Sequence, residues 1–362
     1  MRILILNWRD IKNPTAGGAE LAVDNIARQL SKFGHKITIF TSAYNGCKRE
    51  EKTNYAKIIR KGSMTTVYLH AFSYYLSHSN DFDAIIESVS TVPFFTPLYA
   101  RNKKIVIIPH QVTGKTVFKE VPFTTAVMVH TAENFIPLVY RNTNFIVPSK
   151  SVKSDFEELG IDPKLVTASY FNTVSPNFRK VRVKEYKKPT LITVTRLVTY
   201  KRVDILIDIL AELSKKIDVQ LIIVGTGKEM GNLKGQAKRL DVSDRIWFTG
   251  HVNEKKKAEL LSKSWVFVTA SEKEGFGISA LEAQKCGTPV VTFNNGGLKE
   301  AVKHNYSGLV IKEADRKAFE NAIISLLMND KLRNKLSANS IAYGNSFNTQ
   351  KEIRKIENMI SR

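Results

Sequence analysis

The 362-residue chain has little cysteine, no long apolar run and too few acids for its bases. Its two cysteines, Cys47 and Cys286, stand far apart with no partner spacing. That excludes a disulfide framework and a cysteine-ligated metal site, and fits a reducing cytoplasm. No stretch approaches the ~20 apolar residues of a membrane-spanning helix. Met1–Asn7 hold too short an apolar run for a signal peptide and read as a first strand. Low-complexity tracts are also missing. At 43% hydrophobic and 25% charged residues, the composition is that of a globular protein, and the length suggests two or three domains.

The shortage of acids is the first feature that asks for a partner. Lys and Arg number 55 against 34 Asp and Glu, a net charge of +21, which attracts phosphate on nucleotide, anionic lipid or nucleic acid. Residues 1–170 carry 21 bases and 14 acids (+7), and residues 171–362 carry 34 and 20 (+14). The densest cluster is Arg179, Lys180, Arg182, Lys184, Lys187 and Lys188. It reads as a solvated, self-repelling linker between domains, or as a contact with an anionic membrane surface. Nucleic acid is not expected, because RNA readers interleave aromatics with their bases and only Phe178 and Tyr186 do so here.

What is present is a strand–turn–helix grammar used twice. Residues 2–7 form a strand, residues 19–33 repeat apolar positions at helical spacing up to Gly34, and residues 36–41 form the next strand. Short apolar runs follow at 84–87, 105–109 and 145–147. Ser149 or Ser151 caps a helix ending at Gly160. The grammar restarts after the basic cluster, with strands at 190–195, 220–224, 246–249, 265–269, 289–293 and 308–311 and a helix over 204–216. Alternation of this kind predicts an α/β protein of two doubly wound, Rossmann-like domains, residues 1–171 and 172–362, facing each other across a cleft. Ligands are expected at the carboxyl ends of the strands. A last helix is expected over about 348–360, and spacing alone does not fix whether it packs back across the first domain.

The most informative segment runs from Ser271 to Val291, S-E-K-E-G-F-G-I-S-A-L-E-A-Q-K-C-G-T-P-V-V. A strand enters a loop holding Glu274, Gly275, Phe276 and Gly277, and a helix carrying Glu282 follows. Glycines at such a junction let backbone N–H groups approach an anion or a hydroxyl, and the helix N-terminus adds a positive dipole. Two carboxylates so placed can hold two hydroxyl-bearing parts of one ligand.

This string resembles the donor-sugar site of the retaining glycosyltransferases of family 4, which have the two-domain B-type fold. The resemblance covers nearly the whole chain. It implies that Glu274 and the amides around Gly275, Phe276 and Gly277 hold the donor sugar, and that Glu282 accepts hydrogen bonds from the ribose. Val194-Thr195-Arg196-Leu197 with Lys201 is similar to the family's R-L…K pair, aiming Arg196 and Lys201 at the diphosphate. Gly17-Gly18-Ala19-Glu20 looks like its G-G-x-E loop, where the backbone approaches phosphates or acceptor. His110, ending the 105–109 strand, falls where the family places a histidine facing the reacting sugar. Asn294–Glu300 matches its G-G-x-x-E turn. The chain departs from the pattern at Asn172-Thr173, where Asn-Gly is usual, and at Arg202, which replaces a glycine and adds a charge near the phosphates.

The resemblance implies a metal-independent enzyme without cofactor. It would move a hexose-type sugar from a nucleotide-diphosphate sugar to a hydroxyl of a glycan or lipid-linked acceptor, with retention of configuration. Arg196, Lys201 and helix-end amides can stabilise the leaving diphosphate without a metal, each such donor being worth ~3 kcal/mol or roughly 10²–10³ in rate. His110 is expected to position a hydroxyl or the transition state. The implied location is cytoplasmic, peripheral on the inner membrane face. Two other readings stay open: a catalytically silent basic protein that binds membrane or nucleic acid, and a nucleotide-sugar epimerase on the same fold.

Other signals lead elsewhere. Gly225-Thr226-Gly227 follows a strand like a dinucleotide fingerprint, but the third glycine is displaced to Gly231, so a tight turn is expected. Asp81-Phe82-Asp83 imitates a metal-binding D-x-D at the amino end of a strand, the wrong end for a ligand. Glu20 reads equally as a first-turn helix glutamate. Residues 118–140 are apolar and charge-poor. They read as core or interdomain helix, or as a flap for a lipid-linked acceptor with Lys115 and Lys119 near headgroups.

Overall fold

The computed structural model describes residues 1–171, 174–175, 177–181 and 183–361. They form two compact units, Met1–Thr173 with Asn348–Arg362, and Val174–Phe347. Asn172, Thr173 and Arg182 lie outside the described residues.

The first unit runs β1 (Arg2–Leu6), α1 (Gly18–Lys32), β2 (Lys36–Thr41), β3 (Glu50–Lys52), β4 (Lys57–Arg60), α2 (Val67–His78), β5 (Ala84–Val89), β6 (Lys104–Pro109), α3 (Phe123–Asn134), α4 (Ile136–Val139), β7 (Asn144–Val147), α5 (Lys150–Glu158) and β8 (Val166–Ala168). Its sheet order is β3-β4-β2-β1-β5-β6-β7-β8, parallel except for β3 against β4. Side chains alternate across a strand, and β1 shows the result. Ile3 and Ile5 pack with Ala22, Ile26 and Leu30 of α1, while Leu4 and Leu6 pack with Val67, Ala71 and Tyr75 of α2. Burial on both faces explains why its strands are nearly unbroken apolar runs.

The second unit runs β9 (Thr190–Val194), α6 (Val203–Ser214), β10 (Gln220–Val224), α7 (Met230–Arg239), β11 (Ile246–Gly250), α8 (Glu254–Lys263), β12 (Val266–Thr269), α9 (Ile278–Lys285), β13 (Val290–Phe293), α10 (Leu298–Ala301), β14 (Gly308–Ile311), α11 (Arg316–Met328) and α12 (Asp330–Ser346). Its sheet is fully parallel, in the order β11-β10-β9-β12-β13-β14. Leu191, Leu221, Ile223, Val266 and Val268 face α6 and α11, whose Leu206, Leu210, Ile323 and Leu326 complete that layer.

The final helix, α13 (Thr349–Ser361), belongs to the first unit. Ile353, Ile356 and Ile360 recur at helical spacing and enter the core beside α1. Ser169 Oγ donates to Glu352 Oε2 at 2.7 Å.

Four local outcomes differ from, or decide between, the sequence expectations. Strands β3, β4 and β8 have no counterpart in the pattern, being edge or near-edge segments of three or four residues. Ser149, not Ser151, caps α5, its Oγ accepting from the Val152 N–H at 3.1 Å. The 118–140 segment is not core throughout. Apolar residues surround α3, so burying Ala126 and Val129 leaves Phe123, Val127 and Met128 exposed, with Phe135 and Leu138 beyond them. Arg179, Lys180, Lys184 and Lys187 of the basic cluster are exposed, as in a solvated linker, but the chain that carries them is tied down at three points. The Val181 N–H donates to Ser262 Oγ at 3.3 Å, the Tyr186 N–H to Lys263 O at 2.9 Å, and Lys188 pairs with Asp218 at 2.7 Å. The first two contacts tie Val181 and Tyr186 to the end of α8, and the third ties Lys188 to the loop before β10.

Candidate active site

In the second unit the chain leaves β9 for β10 on one side and returns to β12 on the other. The switch point of an open parallel sheet is where its loops part and a ligand can enter. The loops after β9 and β12 meet there. The Glu272 N–H donates to Tyr200 O at 2.8 Å. Lys201 Nζ donates to Glu274 Oε1 at 2.6 Å, and Ser271 Oγ donates to the same oxygen at 3.1 Å. The Lys201 and Glu274 side chains are 10% and 18% exposed, buried enough to be fixed and open enough to meet a ligand. Arg196 Nη2 donates to Tyr200 Oη at 2.8 Å, so the second expected phosphate ligand joins through Tyr200.

Two glycine-rich turns make this geometry possible. The Gly297 N–H donates to Glu274 O at 2.9 Å, and a Cβ on Gly296 (φ +51°) would lie 2.5 Å from the same oxygen. The Asn294–Glu300 turn is thus a backing for the Glu274–Gly277 loop, with Gly277 as the N-cap of α9 and Phe276 buried against Phe347 at 5.4 Å. Gly225-Thr226-Gly227 is a tight turn that supports the Arg196 loop. The Leu197 N–H donates to Thr226 O at 2.9 Å, and a Cβ on Gly225 would stand 1.9 Å from Thr195 O. Arg202 takes φ +49°, a conformation that glycine adopts more readily. Its charge is balanced by Asp204 at 3.0 Å and Glu272 at 2.8 Å, so it adds no uncompensated cation.

Glu282 lies on the buried face of α9, 2% exposed. Lys257 of α8 donates to its Oε1 at 2.8 Å. Burial pushes the Glu282 carboxyl up from its ordinary range, and the Lys257 ammonium pulls it back. Sequence reasoning missed Lys257. It stands last in the run Lys255-Lys256-Lys257, and the available signal was its place one turn before the buried Leu261, on the inward face of α8.

In the first unit the switch point lies between β1 and β5. Glu20 is buried there. Its Oε2 accepts the Gly17 N–H at 2.7 Å, the half of a capping box that a glycine N-cap allows, and Arg9 pairs with its Oε1 at 3.0 Å. The capping geometry answers to the first-turn reading of Glu20, and it fixes the backbone at Gly17 and Gly18. His110 follows β6, with Nε2 hydrogen-bonded to Ser88 Oγ at 3.0 Å. Burial pushes the imidazole down to about 4, against a small upward pull from Glu20. It is therefore neutral at physiological pH, able to donate one hydrogen bond and accept another. The loop beyond it is clamped by Glu133 of α3, which accepts the N–H groups of Thr113 at 2.5 Å and Gly114 at 2.7 Å.

Asp83 is spent on structure: both its oxygens accept from Arg2, through the backbone N–H at 2.7 Å and Nη2 at 2.8 Å. The Asn172-Thr173 departure falls outside the described residues.

Comparison with known proteins follows this division. A model described as "Glycosyltransferase Family 4" matches residues 16–169, and one described as "Glycosyl transferases group 1" matches residues 174–343. N-acetyl-alpha-D-glucosaminyl L-malate synthase of Bacillus anthracis is 27% identical over 195 residues, 54% of this chain and 49% of that enzyme, so the match spans about half of its length. Sucrose-phosphate synthase from Thermosynechococcus elongatus is similar in structure, with a TM-score of 0.83 at 20% identity over 99% of this chain and 98% of that one. The Anabaena protein HepE in complex with UDP-glucose gives 0.78 at 18% identity over 100% and 99%. With both units matched and the fold shared along their length, the chain belongs to the glycosyltransferases of family 4, on the B-type glycosyltransferase fold.

Proposed function

We propose that the protein moves a hexose-type sugar from a nucleotide-diphosphate sugar to a hydroxyl of a glycan or lipid-linked acceptor, with retention and without a metal. The observation that carries the reading is the convergence of Lys201, Glu274 and Ser271 at the switch point of the second unit, with Arg196 joined through Tyr200. Breaking a sugar–phosphate bond leaves a diphosphate with growing negative charge. Lys201 and Arg196 supply fixed positive charge for it, the role a metal plays elsewhere. A phosphate drawing on Lys201 frees the Glu274 carboxylate to accept sugar hydroxyls. Glu282 then takes the ribose, and the Gly275–Gly277 amides line the donor. The neutral His110, held by Ser88, positions the reacting sugar or the acceptor hydroxyl.

An anionic membrane as the source of a lipid-linked acceptor is supported by the first unit. The exposed side of α3 carries Phe123, 72% exposed, with Val127 and Met128 and no charged side chain. Lys115 and Lys119 precede it and Arg141 follows, all exposed. Cations beside an apolar face suit anionic headgroups. A cytoplasmic, peripheral location goes with this reading.

The test is incubation with UDP-, GDP- and ADP-hexoses and a hydroxyl acceptor. One nucleotide should be released, insensitively to EDTA, and NMR should show the donor's anomeric configuration kept in the product. A new sugar nucleotide with no release would mean an epimerase. If no nucleotide raised the melting temperature and none were released, the basic binding protein would replace the transferase.

A further inference from the structure

The Glu282 carboxylate is held by one partner. Among the described residues its single hydrogen bond comes from Lys257 Nζ at 2.8 Å. No described residue donates to Oε2, and the side chain is 3% exposed. A carboxylate so buried is an acceptor in want of a hydroxyl. Its partner is fixed in turn. The Lys257 ammonium lies 4.6 Å from the centroid of the Phe178 ring, and Phe178 is itself buried. Helix α8 is anchored by Asn253, whose side chain accepts the Lys256 N–H at 2.8 Å.

We propose that Lys257 is a positioning residue for the nucleotide: it aims the Glu282 carboxylate and keeps it ionised, so that Oε2 can accept from a ribose diol that Lys257 never touches. The inference rests on the donor reading above, because it needs Glu282 to face a ribose.

The physical need is specific. A protonated carboxyl turns one oxygen into a donor and is a poor acceptor for two hydroxyls, whereas the carboxylate accepts both. Burial favours the neutral form, and so does the negative Glu254 on α8. The Cys286 thiol, just past α9, is pushed up to about 12 by its own burial and is neutral. Lys257 is the one group among these that favours the anion. The nearby lysines Lys255 and Lys256 point to solvent and cannot take its place.

The experiment compares UDP, GDP and ADP with their 2′,3′-dideoxy counterparts by calorimetry between pH 5 and 9, for the natural protein, Lys257→Met and Lys257→Arg. The natural protein should prefer the best-bound ribonucleotide over its dideoxy form by roughly 10- to 100-fold near pH 8, the worth of hydrogen bonds to a charged acceptor. In Lys257→Met that preference should collapse to within about threefold near neutral pH and recover as pH rises. The midpoint of its loss should move up by about one pH unit or more. Lys257→Arg, keeping the charge, should restore most of it. Dideoxynucleotide affinity should be unchanged in all three, which shows a folded protein with an intact phosphate site. If the natural protein does not tell ribose from dideoxyribose, or binds no nucleotide, the donor reading falls and the inference with it. If it does, and Lys257→Met keeps the same preference and pH midpoint, the inference about Lys257 alone is overturned. A fall in dideoxynucleotide affinity with an unchanged preference would make Lys257 structural and overturn it equally.

Discussion

Lys201 Nζ and Glu274 Oε1 lie 2.6 Å apart, although 73 residues separate them in the chain. The reason is the order of the strands: β9 and β12 are neighbours in the sheet, so the loops that follow them open side by side. The pair neutralises both charges in a site that excludes most water.

Breaking this pair from either side should cost more, summed over the two single variants, than removing it whole. Lys201→Met leaves a poorly solvated carboxylate and Glu274→Gln a poorly solvated ammonium, each costing about 1–3 kcal/mol. The double variant should be less destabilised than the sum of the two, by roughly 0.5–3 kcal/mol. Chemical denaturation of the four proteins measures the coupling. Simple additivity would show the two charges to be independent.

Transfer activity should respond differently. Lys201→Met and Glu274→Gln should each lower kcat by about 10²–10³, the usual worth of a group aimed at developing charge. Nucleotide release from the preferred donor is the readout. A loss confined to KM would mean that both residues only bind.

Gly225→Ala should be destabilising without touching any ligand. Its φ of +133° suits glycine alone, and the new Cβ would meet Thr195 O at 1.9 Å. A loss of about 2–4 kcal/mol is expected. Gly231→Ala is the control: nothing lies within 4 Å of its Cβ, and the position is inside α7. It should gain up to about 1 kcal/mol. Equal effects at the two glycines would contradict the tight-turn account of Gly225-Thr226-Gly227.

His110 should give the protein an acid-sensitive stability. Its folded pKa is about 4, below the ordinary 6.5. The unfolded chain therefore binds this proton more readily between those values. The stability is fully present above about pH 6.5 and is lost as pH falls towards 4. His110→Gln should flatten that part of the curve, read as melting temperature against pH. Transfer by the natural protein should show no limb near pH 6.5 from His110. An NMR titration with a midpoint near 6.5 would refute both statements.

Ile356→Ala, in α13, should cost about 2–5 kcal/mol, because the side chain is fully buried with Ile353 and Ile360 in the core of the first unit. A surface helix would lose almost nothing. Thermal denaturation separates the two.

Much of this was legible in the chain. Unbroken apolar runs such as Ile3–Leu6 and Leu221–Val224 give strands buried on both faces, and their alternation with helical stretches gives two parallel sheets. Candidate site residues were legible where several share one short string, as Glu274, Gly275, Phe276, Gly277 and Glu282 do, because a turn and the helix after it fix their spacing locally. Short edge strands were not, since three residues such as Glu50–Lys52 carry no period. Nor was the surface of α3, where apolar residues all round the helix leave open which face is buried.

What only the tertiary structure decided were the partners across the chain. Sequence could place Lys201 after one strand and Glu274 after another, but their contact depends on β12 pairing with β9 rather than with β11. It could place Glu282 on a helix, but Lys257 reaches it only through the packing of α8 on α9. Local spacing is set by bond geometry and helical pitch. Meetings between distant residues are set by strand order and by which helix face is buried, and those follow from the whole core.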